Sequence, residues 1–76
     1  MQEFLEFVAR RLVENPDGVA VHRADKEEKI IFRLEVAEPD IGKVIGRNGR
    51  TAQALRILLS AIAAREGKRA ILEIAD

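Results

Sequence analysis

Two helical patterns separated by a glycine-bounded break leave this chain few folds. Ile41-Gly42-Lys43-Val44-Ile45 reads as a short apolar helix, Gly46-Arg47-Asn48-Gly49 as a loop, and Arg50-Thr51-Ala52-Gln53-Ala54-Leu55 as the start of a longer helix. Gly46 and Gly49 lack Cβ, so both accept backbone angles closed to other residues and neither keeps a ligand at a distance. The following helix leaves N–H groups unpaired at its start and carries a positive partial charge there, which favours an anion. Arg47 and Arg50 add full charges beside it, and a phosphate suits such a site. With 5 glycines in 76 residues, about 0.3 such pairs arise by chance, so the surrounding elements must carry the reading.

Those elements follow from periodicity. Met1, Phe4, Leu5, Val8 and Leu12 recur at helical spacing opposite Glu3, Glu6, Arg10, Arg11 and Glu14, with Phe7 at the rim of the stripe, and Asn15-Pro16-Asp17-Gly18 stops that helix. Val19 to Arg23 reads as a short strand and Ala24 to Glu28 as a polar turn. Ile30, Phe32, Leu34 and Val36 alternate with Ile31, Arg33 and Glu35 in the clearest period of two. Two strands joined so closely make an antiparallel hairpin. Glu38-Pro39-Asp40 ends the second strand, and Asp40 is expected to N-cap the helix from Ile41 to Ile45. The long helix is expected from Arg50 to Arg65, with Ala52, Leu55, Leu58, Leu59 and Ile62 facing inward and Gly67 as its stop. Ala70, Leu72 and Ile74, alternating with Ile71 and Glu73, form a last strand.

Val44-Ile45-Gly46-Arg47-Asn48-Gly49, followed by Ala52 and Leu55, resembles the signature of a KH domain, whose GxxG loop clamps the backbone of about four nucleotides. The small size and the order helix, strand, strand, helix, loop, helix, strand are most similar to the bacterial stand-alone KH proteins of the KhpA type. The resemblance covers essentially the whole chain. It implies an α+β fold with the type II KH topology α-β-β-α-α-β, a three-stranded sheet covered on one face by three helices, in a single domain over residues 1–76. It also implies a binding site for single-stranded RNA. In that site Gly46, Arg47, Asn48, Gly49, Arg50 and Lys43 hold phosphates, while Ile41, Val44, Ile45 and Leu55 line an apolar groove for bases. Ala52 departs from the large aliphatic residue that many KH domains carry there, which bears on the depth of that groove.

Charge supports this placement. The net charge is zero, yet from Ile41 to Arg65 there are cations (Lys43, Arg47, Arg50, Arg56, Arg65) and no acid, so the positive field gathers around the glycine loop. There are no cysteines, no apolar run approaches the roughly 20 residues that span a bilayer, and no basic region with an apolar core opens the chain. The expectation is a soluble cytoplasmic protein with no membrane association. A chain this short buries roughly 60% of its unfolded surface, so a partner subunit would add needed stability. Ala61, Ala63 and Ala64 offer either a helix face that another helix can approach or the face by which the helix packs on its own sheet. The resemblance implies a homodimer, or a heterodimer with a second KH protein of the Jag type.

Catalysis finds little support. The single histidine, His22, has no nucleophile nearby in sequence, Ser60 lies mid-helix, and the carboxylates lack metal-ligand spacing, so no metal and no cofactor are expected. The loop lacks the Gly-Lys-Ser/Thr of a Walker A motif and follows a helix, not the strand of a dinucleotide fingerprint. A helix-turn-helix DNA binder is a weaker alternative. Its first helix would be very short, and Gln53 and Arg56 are the only long polar residues on the second before Arg65. A pure dimerisation module is the other alternative. The resemblance points to an RNA chaperone or post-transcriptional regulator, with roles in small-RNA handling or cell growth and division.

Overall fold

The structure is a computed structural model that describes residues 1–75; Asp76, the last residue of the expected domain, lies outside them. Helix α1 (Gln2–Leu12) leads through a 3-10 turn at Pro16–Gly18 into strands β1 (Ala20–Asp25) and β2 (Lys29–Glu35). A second 3-10 turn at Glu38–Asp40 runs into α2 (Ile41–Ile45), and a third at Arg47–Gly49 joins it to α3 (Arg50–Ala64), which returns to β3 (Arg69–Ala75). The sheet order is β1-β2-β3, with β1 antiparallel and β3 parallel to the central β2. This is the expected α+β KH-like architecture.

The alternation in β2 divides the sheet into two faces. Ile30, Phe32 and Leu34 are wholly buried beneath the helices, together with Val21 of β1 and Leu72 of β3. Leu5 and Ala9 of α1, Val44 of α2, and Leu55 and Leu59 of α3 close over them in one core. Enclosing side chains of this size contributes about 1.5–3 kcal/mol each. No element among the described residues covers the opposite face, which carries His22, Ile31, Arg33 and Glu73; there His22 pairs with Glu35. Helix α3 ends as expected. Gly67 adopts φ 70°, and the bonds Gly67 N to Ala64 O (3.0 Å) and Lys68 N to Ala63 O (3.1 Å) close its last turn. Among the described residues no helix is long and apolar enough to cross a membrane.

Some local expectations need correction. The strand β1 extends through Ala24 and Asp25, because both pair with β2 across a tight turn closed by Lys26 N to Lys29 O at 2.8 Å. In α3 the buried positions are Ala52, Leu55, Leu59 and Ala63, whereas Leu58 is 48% exposed and Ile62 is at the margin of exposure. The stripe that meets the sheet is narrower than the apolar stripe in the sequence. Asp40 does not cap α2 with its side chain, since its backbone already continues the 3-10 turn at φ −96°, ψ −5°. Its carboxylate is instead fully enclosed and accepts bonds from Glu14 N (3.2 Å), Asn15 N (3.0 Å) and Asn15 Nδ2 (3.0 Å). The residue thereby ties the end of α1 to the start of α2.

Candidate functional site

The loop between α2 and α3 is built from three departures from ordinary backbone geometry within four residues. Gly46 sits at φ 78°, ψ 173°, a region essentially reserved for glycine. Asn48 (φ 56°, ψ 26°) and Gly49 (φ 74°, ψ 12°) are left-handed; asparagine is one of the few residues that accept this without large strain. At Gly46 the space is closed as well. A Cβ there would lie 2.2 Å from the Thr51 hydroxyl oxygen and 2.8 Å from the Thr51 nitrogen, whereas one at Gly49 would meet nothing within 4 Å. Thr51 thus packs α3 directly against the start of the loop.

This geometry decides which donors face outward. Gly46 N bonds to Gly42 O (2.9 Å), Gly49 N to Gly46 O (3.1 Å), and Arg50 N to Arg47 O. A 3-10 turn leaves its first N–H groups without acceptors inside the turn, so Arg47 and Asn48 present theirs to solvent. Both side chains are exposed, as is that of Arg50. None of the ion pairs among the described residues involves Arg47 or Arg50. Lys43 differs, for its ammonium lies 3.4 Å from the Glu14 carboxylate and 3.9 Å from that of Asp40, so its charge is largely matched. The Asp40 carboxyl is pushed up by its enclosure, but bonds from the Asn15 amide and from the backbone of Glu14 and Asn15, with Lys43 nearby, outweigh this and hold it below the usual carboxylate range.

The apolar residues expected to line a groove divide into two sets. Ile41 is half-buried and Ile45 is 37% exposed beside the loop, so both offer surface there. Val44 is fully buried and Leu55 is 3% exposed, so neither presents a surface to a ligand; they anchor the two helices in the core. A helix as short as α2 has room to turn only one of its apolar residues inward. Ala52 also faces the core, 3% exposed, so its small size does not set the depth of any open groove.

The sequence reading left one part of the site out. Arg56 reaches from α3 to β3, where its Nη2 donates to Leu72 O at 3.5 Å. It lies seven residues after Gly49, so two helical turns place it on the loop's side of α3, with Gln53 and Ser60 on the same flank. Arg56 therefore joins the flank of α3 to the free edge of β3, on the side of the helix that begins at the glycine loop. The heptad separation from Gly49 was a visible signal, but the contact joins residues far apart in sequence.

Comparison with known proteins places the chain in a family. The family model described as "KhpA/KhpB, KH domain" matches residues 2–74. The RNA-binding protein KhpA of Caldanaerobacter subterraneus subsp. tengcongensis is 49% identical over 74 residues, covering 97% of this chain and 99% of that one. Its namesake in Chlamydia pneumoniae is 43% identical over 76 residues, 100% of this chain and 97% of the relative. That of Borreliella burgdorferi is 43% identical over 74 residues, 97% and 90% respectively. No solved structure matches the chain significantly.

Proposed function

The chain belongs to the KhpA/KhpB family of KH domains, and from that premise we propose that it holds short single-stranded RNA through the Gly46–Gly49 loop, as a single domain over residues 1–76. The family is one of RNA-binding proteins, not an enzyme class, and the proposal assigns this chain no catalytic step and no cofactor. The observation that carries it is the loop itself: three positive-φ residues turn the Arg47 and Asn48 N–H groups outward beside the Arg47 and Arg50 guanidinium groups, which enter none of the ion pairs among the described residues. Consecutive phosphates bond to those N–H groups, with Arg47 and Arg50 supplying charge and Lys43 a smaller share. Bases lie toward Ile41, Ile45 and the free edge of β3.

Association is part of the reading. The solvent side of α3 carries Ile57 (61% exposed) and Leu58 among exposed alanines, an apolar face that water disfavours. We assign it to pairing with a second copy or with another KH protein of the Jag type, in the cytoplasm and away from membranes. An RNA chaperone or post-transcriptional regulator is the role that such weak, paired RNA contacts serve. The helix-turn-helix alternative is not favoured, since α2 has only 5 residues and the family is an RNA-binding one.

Backbone amide chemical-shift mapping with a short mixed-sequence RNA tests the site. The account expects the largest shifts at Arg47, Asn48, Arg50, Thr51 and along β3. Shifts gathered on the open sheet face around His22 and Arg33 would refute it.

A further inference from the structure

The edge of β3 has a polarity that the parallel pairing fixes. Arg69 N bonds to Glu28 O at 2.9 Å, so the peptide groups of Arg69, Ile71 and Glu73 turn toward β2. Those of Ala70, Leu72 and Ile74 turn outward, to the free edge of the sheet. Leu72 O is thus an acceptor on the free edge, and the Arg56 guanidinium lies against it. Arg56 is exposed and enters none of the ion pairs among the described residues, so no carboxylate there holds its fork.

A guanidinium has five N–H donors in a plane and no acceptor. With one donor directed to Leu72 O, the edge at this height meets a base with donors only: the rest of the fork and the outward Leu72 N–H. A planar fork binds best where two acceptors stand side by side on a base edge. Guanine presents such a pair at O6 and N7, and cytosine at O2 and N3. Adenine interrupts its acceptors with the 6-amino group and uracil with the N3 hydrogen, so each leaves a donor facing a donor.

We propose that Arg56 determines base specificity at the free edge of β3, selecting guanine or cytosine over adenine and uracil at the position beside Leu72. Gln53 and Ser60, on the same flank, lack a second rigid fork and do not supply this preference. The inference rests on the proposed RNA site and adds to it a chemical criterion for what enters.

The test uses labelled oligouridine and its variants carrying one guanosine, cytidine or adenosine, titrated by fluorescence anisotropy against the full chain. Wild type is expected to bind the guanosine and cytidine variants about tenfold more tightly than the adenosine variant or oligouridine, within the range for one bidentate base contact. Arg56→Lys keeps the charge and removes the fork; it should reduce the ratio below about twofold and change oligouridine binding little. Arg56→Gln should do the same with weaker binding throughout. Unchanged melting curves for both variants would confirm that they fold. Equal wild-type binding of all four RNAs, or a preference that survives in Arg56→Lys, overturns the inference and leaves the RNA site standing. No wild-type binding to any of them overturns both.

Discussion

At the scale of single residues, Gly46 and Gly49 look equivalent in the sequence and are not equivalent in space. Gly46 combines a glycine-only backbone with a side-chain position already filled by Thr51, whereas Gly49 needs only its positive φ. Gly46→Ala should therefore cost about 2–3 kcal/mol, a fall of roughly 10–20 °C in melting temperature for a domain this small. Gly49→Ala, facing open space, should cost only about 1 kcal/mol. Thermal denaturation of the two variants checks the order, and equal losses would contradict the geometry. The exposed pair between them behaves differently again. Arg47 and Asn48 make no side-chain bond that the fold uses, and aspartate tolerates the left-handed backbone of Asn48 nearly as well as asparagine. Arg47→Asp with Asn48→Asp should leave the melting curve nearly unchanged, so any loss of binding reads the site and not the fold.

At the scale of elements, α2 is too short to be stable alone, and its position depends on neighbours. Val44 anchors it in the core and Asp40 anchors its start to the end of α1. The folded Asp40 pKa is depressed, so its contribution to stability is fully present above the unfolded value of about 3.9. That contribution is lost as pH falls through the lower folded value. Asp40→Asn should lower stability at pH 7, since one amide oxygen replaces two carboxylate oxygens and its NH2 opposes that of Asn15. It should also flatten the acid limb of a stability–pH curve from urea titrations. A variant with an unaltered acid limb would show that Asp40 is not the titrating group. The existence and order of the elements were legible in the sequence because Ile30, Phe32 and Leu34 recur at every second position, and because Pro16, Pro39 and Gly67 stop what precedes them. The glycine loop was legible for the same local reason. What local pattern could not carry was the partner of each residue: Asp40 meets Asn15 across a sequence separation of 25, and Arg56 meets Leu72 across 16. Nor does helical spacing separate an apolar residue that meets the sheet, such as Leu59, from one that meets water, such as Leu58.

At the scale of the whole molecule, charge and apolar surface occupy different places. The positive field lies around the loop, while Ile57 and Leu58 leave an apolar face on the outside of α3 and Phe7, 58% exposed beneath the Arg11 guanidinium, leaves another on α1. Sedimentation equilibrium at tens of micromolar should show self-association, and Leu58→Asp should shift it toward monomer without unfolding the domain. A wild-type monomer at those concentrations would remove the self-pairing proposal. Two or three phosphates neutralised by one domain imply weak binding with a salt slope of roughly −1.5 to −2, so firm attachment needs two domains on one RNA. Aromatic stacking adds little, because Phe32 is enclosed and Phe4 and Phe7 lie on α1, not on α2, α3 or β3. The most direct measurement is a fluorescence-anisotropy titration of a mixed-sequence single-stranded RNA and its matching duplex DNA, at two salt concentrations, with wild type and the Arg47/Asn48 double aspartate. The account predicts binding that favours the single strand, weakens with salt and disappears in the folded variant. A preference for the duplex, or single-strand binding that survives the two aspartates, would contradict the glycine loop as a phosphate clamp.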